Sequence, residues 1–202
     1  MAVTNVRRFG RLELALTISW AFLLLLVVAL PFFWPAAERG DLLIRNTIRL
    51  SLLYYAAAMI LMVQAGSEKP PAPAALDSLL RCCWSLAWLT YLVHLFMAFH
   101  FYHHWSHANA VAHTQEVSGF GPGIYFSHLF TCLWTADVAL WWLRPTRRAE
   151  RRPWLSWVLH GFMLGIIFCA TVVYEEGLIR YAGLAFLIGL GALAYARSIR
   201  TL

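Results

Sequence analysis

The chain has 202 residues, of which 61% are hydrophobic and 13% charged, with a formal net charge of +6. Soluble domains carry about 25% charged residues, so water is excluded as the main solvent of this surface. Nucleic acid is not indicated either, because the arginines sit in short clusters at the ends of apolar segments rather than along one stripe.

A hydrocarbon core about 30 Å thick takes roughly 20 apolar residues per helical span, and the chain offers such stretches repeatedly. The first runs from about Leu12 to Trp34, behind Arg7, Arg8 and Arg11. That order has the polarity of a signal peptide. The apolar run is longer than an h-region of roughly 7–15 residues and no small-residue cleavage site follows it, so it reads as a retained helix. The second span runs from about Leu42 to Gln64, after the break at Glu38, Arg39, Gly40 and Asp41. Prolines crowd the stretch from Gly66 to Ala75, which cannot continue a helix. A third span runs from about Asp77 past Phe99, and a fourth from about Ile124 to Leu143. After the basic loop from Arg144 to Arg152 come a fifth, about Trp154 to Tyr174, and a sixth, about Ile179 to Ala196. The pattern predicts an all-α polytopic membrane protein of about six spans. Residues 1–66 form a hairpin, 67–76 a proline-rich cytoplasmic linker, and 77–202 a four-helix part with an outward histidine-rich loop over 100–123.

With a cytoplasmic N-terminus, that side collects Arg7, Arg8, Arg11, Lys69, Arg81, Arg144, Arg147, Arg148, Arg151, Arg152, Arg197 and Arg200. The opposite side keeps Arg39, Arg45, Arg49 and Arg180. The positive-inside bias therefore predicts both termini in the cytoplasm, in a membrane of the bacterial inner type. The loop after the third helix, which has no lysine or arginine from His100 to Gly123, then faces outward.

Seven of the eight histidines lie between His94 and His128. His100, His103, His104 and His107 follow i, i+3, i+4, i+7 spacing, which makes one stripe if the third helix continues past the bilayer edge. Neutral imidazoles on one face form a first shell for a transition metal such as iron, copper, zinc or manganese. His113 is a candidate further ligand, and Glu116, Glu175 and Glu176 are candidate carboxylates on the same membrane face. The run from Gly119 to Gly123, GFGPG, supplies the tight return into the membrane. The competing reading is an aromatic belt, in which histidine is one more polar-tipped ring beside Phe99, Phe101, Tyr102, Trp105, Phe120, Tyr125 and Phe126.

The string His100-Phe-Tyr-His103-His104 resembles the HxxHH boxes of membrane-bound fatty-acid desaturases and hydroxylases, whose diiron sites combine several such boxes on the cytoplasmic side. The resemblance covers this one string, no second HxxHH follows, and the predicted side is the opposite one. No catalytic role carries over from it.

Three further features lie within spans. His94 and His128 fall at a similar depth near the outer ends of their helices, as axial ligands of a haem b would. Asp137 and His160 fall level near the inner ends of the fourth and fifth helices, a charge-assisted pair that serves as a clamp or a proton relay. Arg45 and Arg49 are the remaining intramembrane charges, placed to snorkel, to pair with Glu38 and Asp41, or to bind an anion. Four cysteines without a CxxC pair give neither a disulfide framework nor a zinc knuckle. Walker A, GxGxxG, GxSxG and HExxH motifs are absent, and Lys69 in the linker cannot hold a retinal. The functional expectations are therefore a small membrane oxidoreductase or a subunit of one, a haem-bearing anchor, or a non-catalytic transport subunit. In each, the lipid bilayer is the main partner, and further membrane subunits or a second copy complete the surface.

Overall fold

The computed structural model describes residues 2–66, 74–146 and 150–200, which are 91% helical, with no strand among them. The chain divides into two compact units, Met1–Ser106 and His107–Leu202.

The first unit contains α1 (Ala2–Ala29), a 3-10 turn (Leu30–Phe33), α2 (Ala36–Ala65) and α3 (Ala74–Phe101). Its core is the antiparallel pair α2 and α3, and small residues explain why the two backbones come close. Ala58 and Ala87 are fully buried there, and the Ser51 hydroxyl donates across the interface to the Ala87 carbonyl at 2.9 Å. Gly40 leaves room for the Phe101 ring, which would stand 3.0 Å from a Cβ at that position. Thr47 and Thr90 return their hydroxyls to the Leu43 and Leu86 carbonyls, so neither leaves a polar group unmatched between the helices. α1 joins this pair through the Trp20 indole, which donates to the Thr90 hydroxyl at 2.8 Å, and through a bond from the Ser78 hydroxyl to Glu13. The third helix thus belongs with the first two. Of the expected linker, residues 67–73 lie outside the described residues, and the last three expected positions open α3.

The second unit contains α4 (His107–Ser118), a 3-10 turn (Gly121–Gly123), α5 (Ile124–Leu143), α6 (Pro153–Phe168) with a terminal π-turn (Cys169–Val173), and α7 (Gly177–Arg200). The reversal from α4 into α5 is tied by one side chain: the Gln115 amide donates to the Gly119 carbonyl and accepts from the Gly121 amide. Gly119 has φ 72°, and a Cβ at Gly121 would meet Val111 at 3.1 Å, so the GFGPG run turns for the reason its glycines suggest. Phe130, Trp134, Asp137, Val138 and Trp141 form the buried stripe of α5, and Leu159, His160, Met163 and Ile167 that of α6, which packs against it. α7 meets the π-turn where Gly183 lies against the Thr171 side chain.

Five helical segments are long and apolar enough to cross a membrane: Gly10–Phe33, Ala36–Ala65, Ala75–Phe101, Pro153–Val173 and Gly177–Ile199. α5 has the length of a span, 20 residues, but His128, Asp137 and the indoles of Trp134, Trp141 and Trp142 keep it out of that set. Lipid contact follows from these five helices, whose large apolar side chains, such as Leu25, Ile188 and Leu178, are exposed.

One expectation is corrected here. The third helix does not continue through His107: it ends at Phe101, and the chain turns before α4 begins. The amides of Tyr102 and His103 both bond back to the Ala98 carbonyl, and His104 and Trp105 adopt φ of 48° and 59°. Left-handed backbone at two successive residues ends the helical register. The four-histidine stripe is therefore not one helix face, and the expected loop over 100–123 contains a helix of its own.

Candidate functional site

The break in register separates the histidines into two environments. In the first unit, His100 stacks on Phe96 with centroids 6.3 Å apart and meets the edge of Phe101 at 4.7 Å. His103 is buried with its ring 5.1 Å from Phe99, and Trp105 closes the group 5.3 Å from Phe96. These two imidazoles occupy places in an aromatic cluster, the arrangement expected of an interfacial belt. His104 is exposed on the turn.

The second unit brings two imidazoles together. His107, the first residue of α4, and His128, in the second turn of α5, lie with ring centroids 5.4 Å apart and 31° between planes. Tyr125 completes the group, 5.6 Å from His107 and 6.1 Å from His128. The reversal at Gly119–Gly123 sets this pairing, because it lays the turn back along α4, with Gly121 against Val111 and Gly123 against Thr114, and so starts α5 beside that helix. A metal bound about 2.0–2.1 Å from each ring nitrogen lies roughly 3.2 Å from each centroid, so a tetrahedral angle at the metal separates the centroids by about 5 Å. The observed separation is compatible with two nitrogens sharing one ion.

The other candidates lie apart from that pair in character. His113 is 3.9 Å from Glu116 on one exposed face of α4. Glu175 offers its backbone carbonyl to the Arg180 guanidinium at 2.8 Å, and the Glu176 side chain is exposed. Among the described residues no three of His, Cys, Asp and Glu are grouped closely enough to hold a metal ion. A metal at His107 and His128 would complete its shell with water or an external ligand.

His94 is set differently. Its Nδ1 lies 3.0 Å from the Ile44 carbonyl on the neighbouring helix, which fixes the ring through that nitrogen.

Near the other end of α5, Asp137 is buried at 2% exposure, and His160 on α6 is buried at 8%. The Asp137 carboxylate accepts a 2.6 Å bond from Arg151, which is itself mostly buried. Counting Arg151 as one more basic loop residue misses this. The helix ends between the two, so no register links them, but an acid within a span seven residues before a basic cluster is a usable signal. Another missed group is Tyr102, whose hydroxyl donates to Asp41 at 2.5 Å, while Arg45 pairs with the same carboxylate at 2.8 Å. Burial and then the bond to Asp41 push the Tyr102 phenol up to about 12.

No family model, curated protein or solved structure matches this chain.

Proposed function

We propose that this is a six-span inner-membrane protein, with both termini in the cytoplasm, that binds a transition-metal ion at its non-cytoplasmic face through His107 and His128. The observation that carries the reading is the approach of those two rings to 5.4 Å within one compact unit. The orientation is supported by the concentration of arginines at one set of helix ends, and α5 supplies the sixth span by its length. Two imidazoles with open positions suit zinc, copper, iron or manganese, and of these the redox-active copper, iron or manganese would extend the role to a membrane oxidoreductase or a subunit of one.

Metal analysis of detergent-purified protein loaded with zinc or cobalt(II) tests this. About one ion per chain is expected, with cobalt giving the visible bands of a four-coordinate site, and His107→Ala or His128→Ala should each lower retention about tenfold or more. His103→Ala, which alters only the aromatic cluster, should leave retention unchanged. Folded wild-type protein that retains no metal would sink the proposal.

A second reading has its own support. The bond of His94 Nδ1 to the Ile44 carbonyl is the outer-shell arrangement that orients an axial histidine, so His94 is a candidate axial ligand for haem b. A reduced-minus-oxidised absorption spectrum of protein purified from haem-replete cells decides it: a b-type band lost in His94→Ala supports the reading, and its absence in wild type rejects it.

A further inference from the structure

One face of α2 is exposed along most of its length. Glu38, Arg45, Arg49, Leu53 and Ile60 are all exposed, and at about 100° per residue they fall within roughly 80° of one another. The opposite face, with Leu43, Thr47, Leu50, Ser51, Tyr54 and Ala58, is buried in the helix pair. The exposed face changes character at one level, basic at Arg45 and Arg49 and apolar from Leu53 inward.

The two arginines differ in how their charge is matched. Arg45 is paired with Asp41 at 2.8 Å, and the same carboxylate also accepts the Tyr102 hydroxyl. Arg49 feels the field of Asp41 but makes no ion pair or hydrogen bond among the described residues. It lies inside a segment apolar enough to span the membrane, about one turn above Leu53. A guanidinium at that depth on a lipid-facing surface needs an anion.

The geometry points to a phospholipid site: Arg49, with Arg45 one turn above it, binds the phosphodiester of a lipid whose acyl chain lies along Leu53 and Ile60. The distance along the helix from Arg49 to Ile60 is about 16 Å, which suits an acyl chain held at its head end. A planar guanidinium can give two parallel bonds to phosphate oxygens, which a lysine ammonium cannot. A soluble anion would match the arginines but not the apolar face beneath them, whereas an amphiphile matches both. That the site belongs to the non-cytoplasmic leaflet rests on the orientation proposed above; the site itself does not, and it is independent of the histidine pair.

The test is native mass spectrometry of the full chain released from nanodiscs of mixed phosphatidylglycerol and phosphatidylethanolamine. Wild-type protein is expected to keep a phospholipid adduct, and Arg49→Ala to lower the bound fraction about tenfold. Arg49→Lys, which preserves the charge and guards against a failure to fold, should show a smaller loss of about threefold. Arg11→Ala, an exposed arginine on α1, should leave the adduct unchanged. Folded Arg49→Ala and Arg49→Lys proteins with the wild-type adduct would overturn the proposal. Displacement of the adduct from wild type by millimolar inorganic phosphate would also overturn it, in favour of a soluble anion.

Discussion

In the first unit the hydroxyls of Thr47 and Thr90 are buried between helices and give their bonds to the backbone carbonyls four residues back, whereas the second unit buries a full ion pair, Asp137 with Arg151. A hydroxyl that bonds the carbonyl one turn back carries its partner with it wherever the helix goes. An ion pair between α5 and the segment before α6 depends on tertiary structure, because its members are 14 residues apart and the chain between them leaves the helix. The first arrangement makes close packing cheap. The second makes one end of the unit conditional on tertiary structure.

The largest expected effect follows from that difference. Removing one member of a buried pair leaves an uncompensated charge and typically costs about 3–5 kcal/mol. Arg151→Ala and Asp137→Ala should each destabilise the protein by an amount in that range, measured by unfolding in mixed detergent micelles. The double variant should cost clearly less than the sum, because neither charge is then stranded. Additive costs would mean that the two side chains are stabilised by other contacts, and the contrast between the units would fail. Arg144→Ala, an exposed residue at the end of α5, provides the control and should change stability by less than about 0.5 kcal/mol.

Much of the fold was legible because lipid imposes few solutions. Length and hydropathy place α1, α2, α3, α6 and α7, and the glycines of GFGPG mark the reversal that the Gln115 side chain then secures. The end of α3 was not legible. Neither glycine nor proline lies between Phe101 and His107, and the turn uses left-handed backbone at His104 and Trp105, where sequence gives no warning. That single break splits a stripe that spacing alone joins. It places His100 and His103 among aromatic rings and leaves His107 to meet His128. The pairing of His107 with His128 could have been reached by folding the chain at GFGPG, since His107 lies 12 residues before Gly119 and His128 five after Gly123. Treating the histidines as one helical face obscured it. Arg151 was hidden for a different reason: the positive-inside rule explains every loop arginine equally well and so singles out none.

The smallest effect belongs to the first unit's counterpart of the ion pair, where Tyr102, just beyond α3, donates to Asp41 near the start of α2. The carboxylate keeps Arg45 as a partner when the hydroxyl is removed, so no buried charge is stranded. Tyr102→Phe should therefore cost only about 0.5–1.5 kcal/mol, toward the low end because the residue is exposed at 38%. The contact has a pH signature. The phenol is pushed up to about 12, so between the ordinary tyrosine value near 10 and that point the folded state holds a proton that the unfolded state has released. Stability then falls as pH rises through that window, since the slope follows the protons bound by the unfolded state minus those bound by the folded state. Wild type should lose its advantage over Tyr102→Phe progressively from about pH 10 to about pH 12. A difference between the two proteins that stays constant across that window would show that the hydroxyl contributes through packing and not through its bond to Asp41.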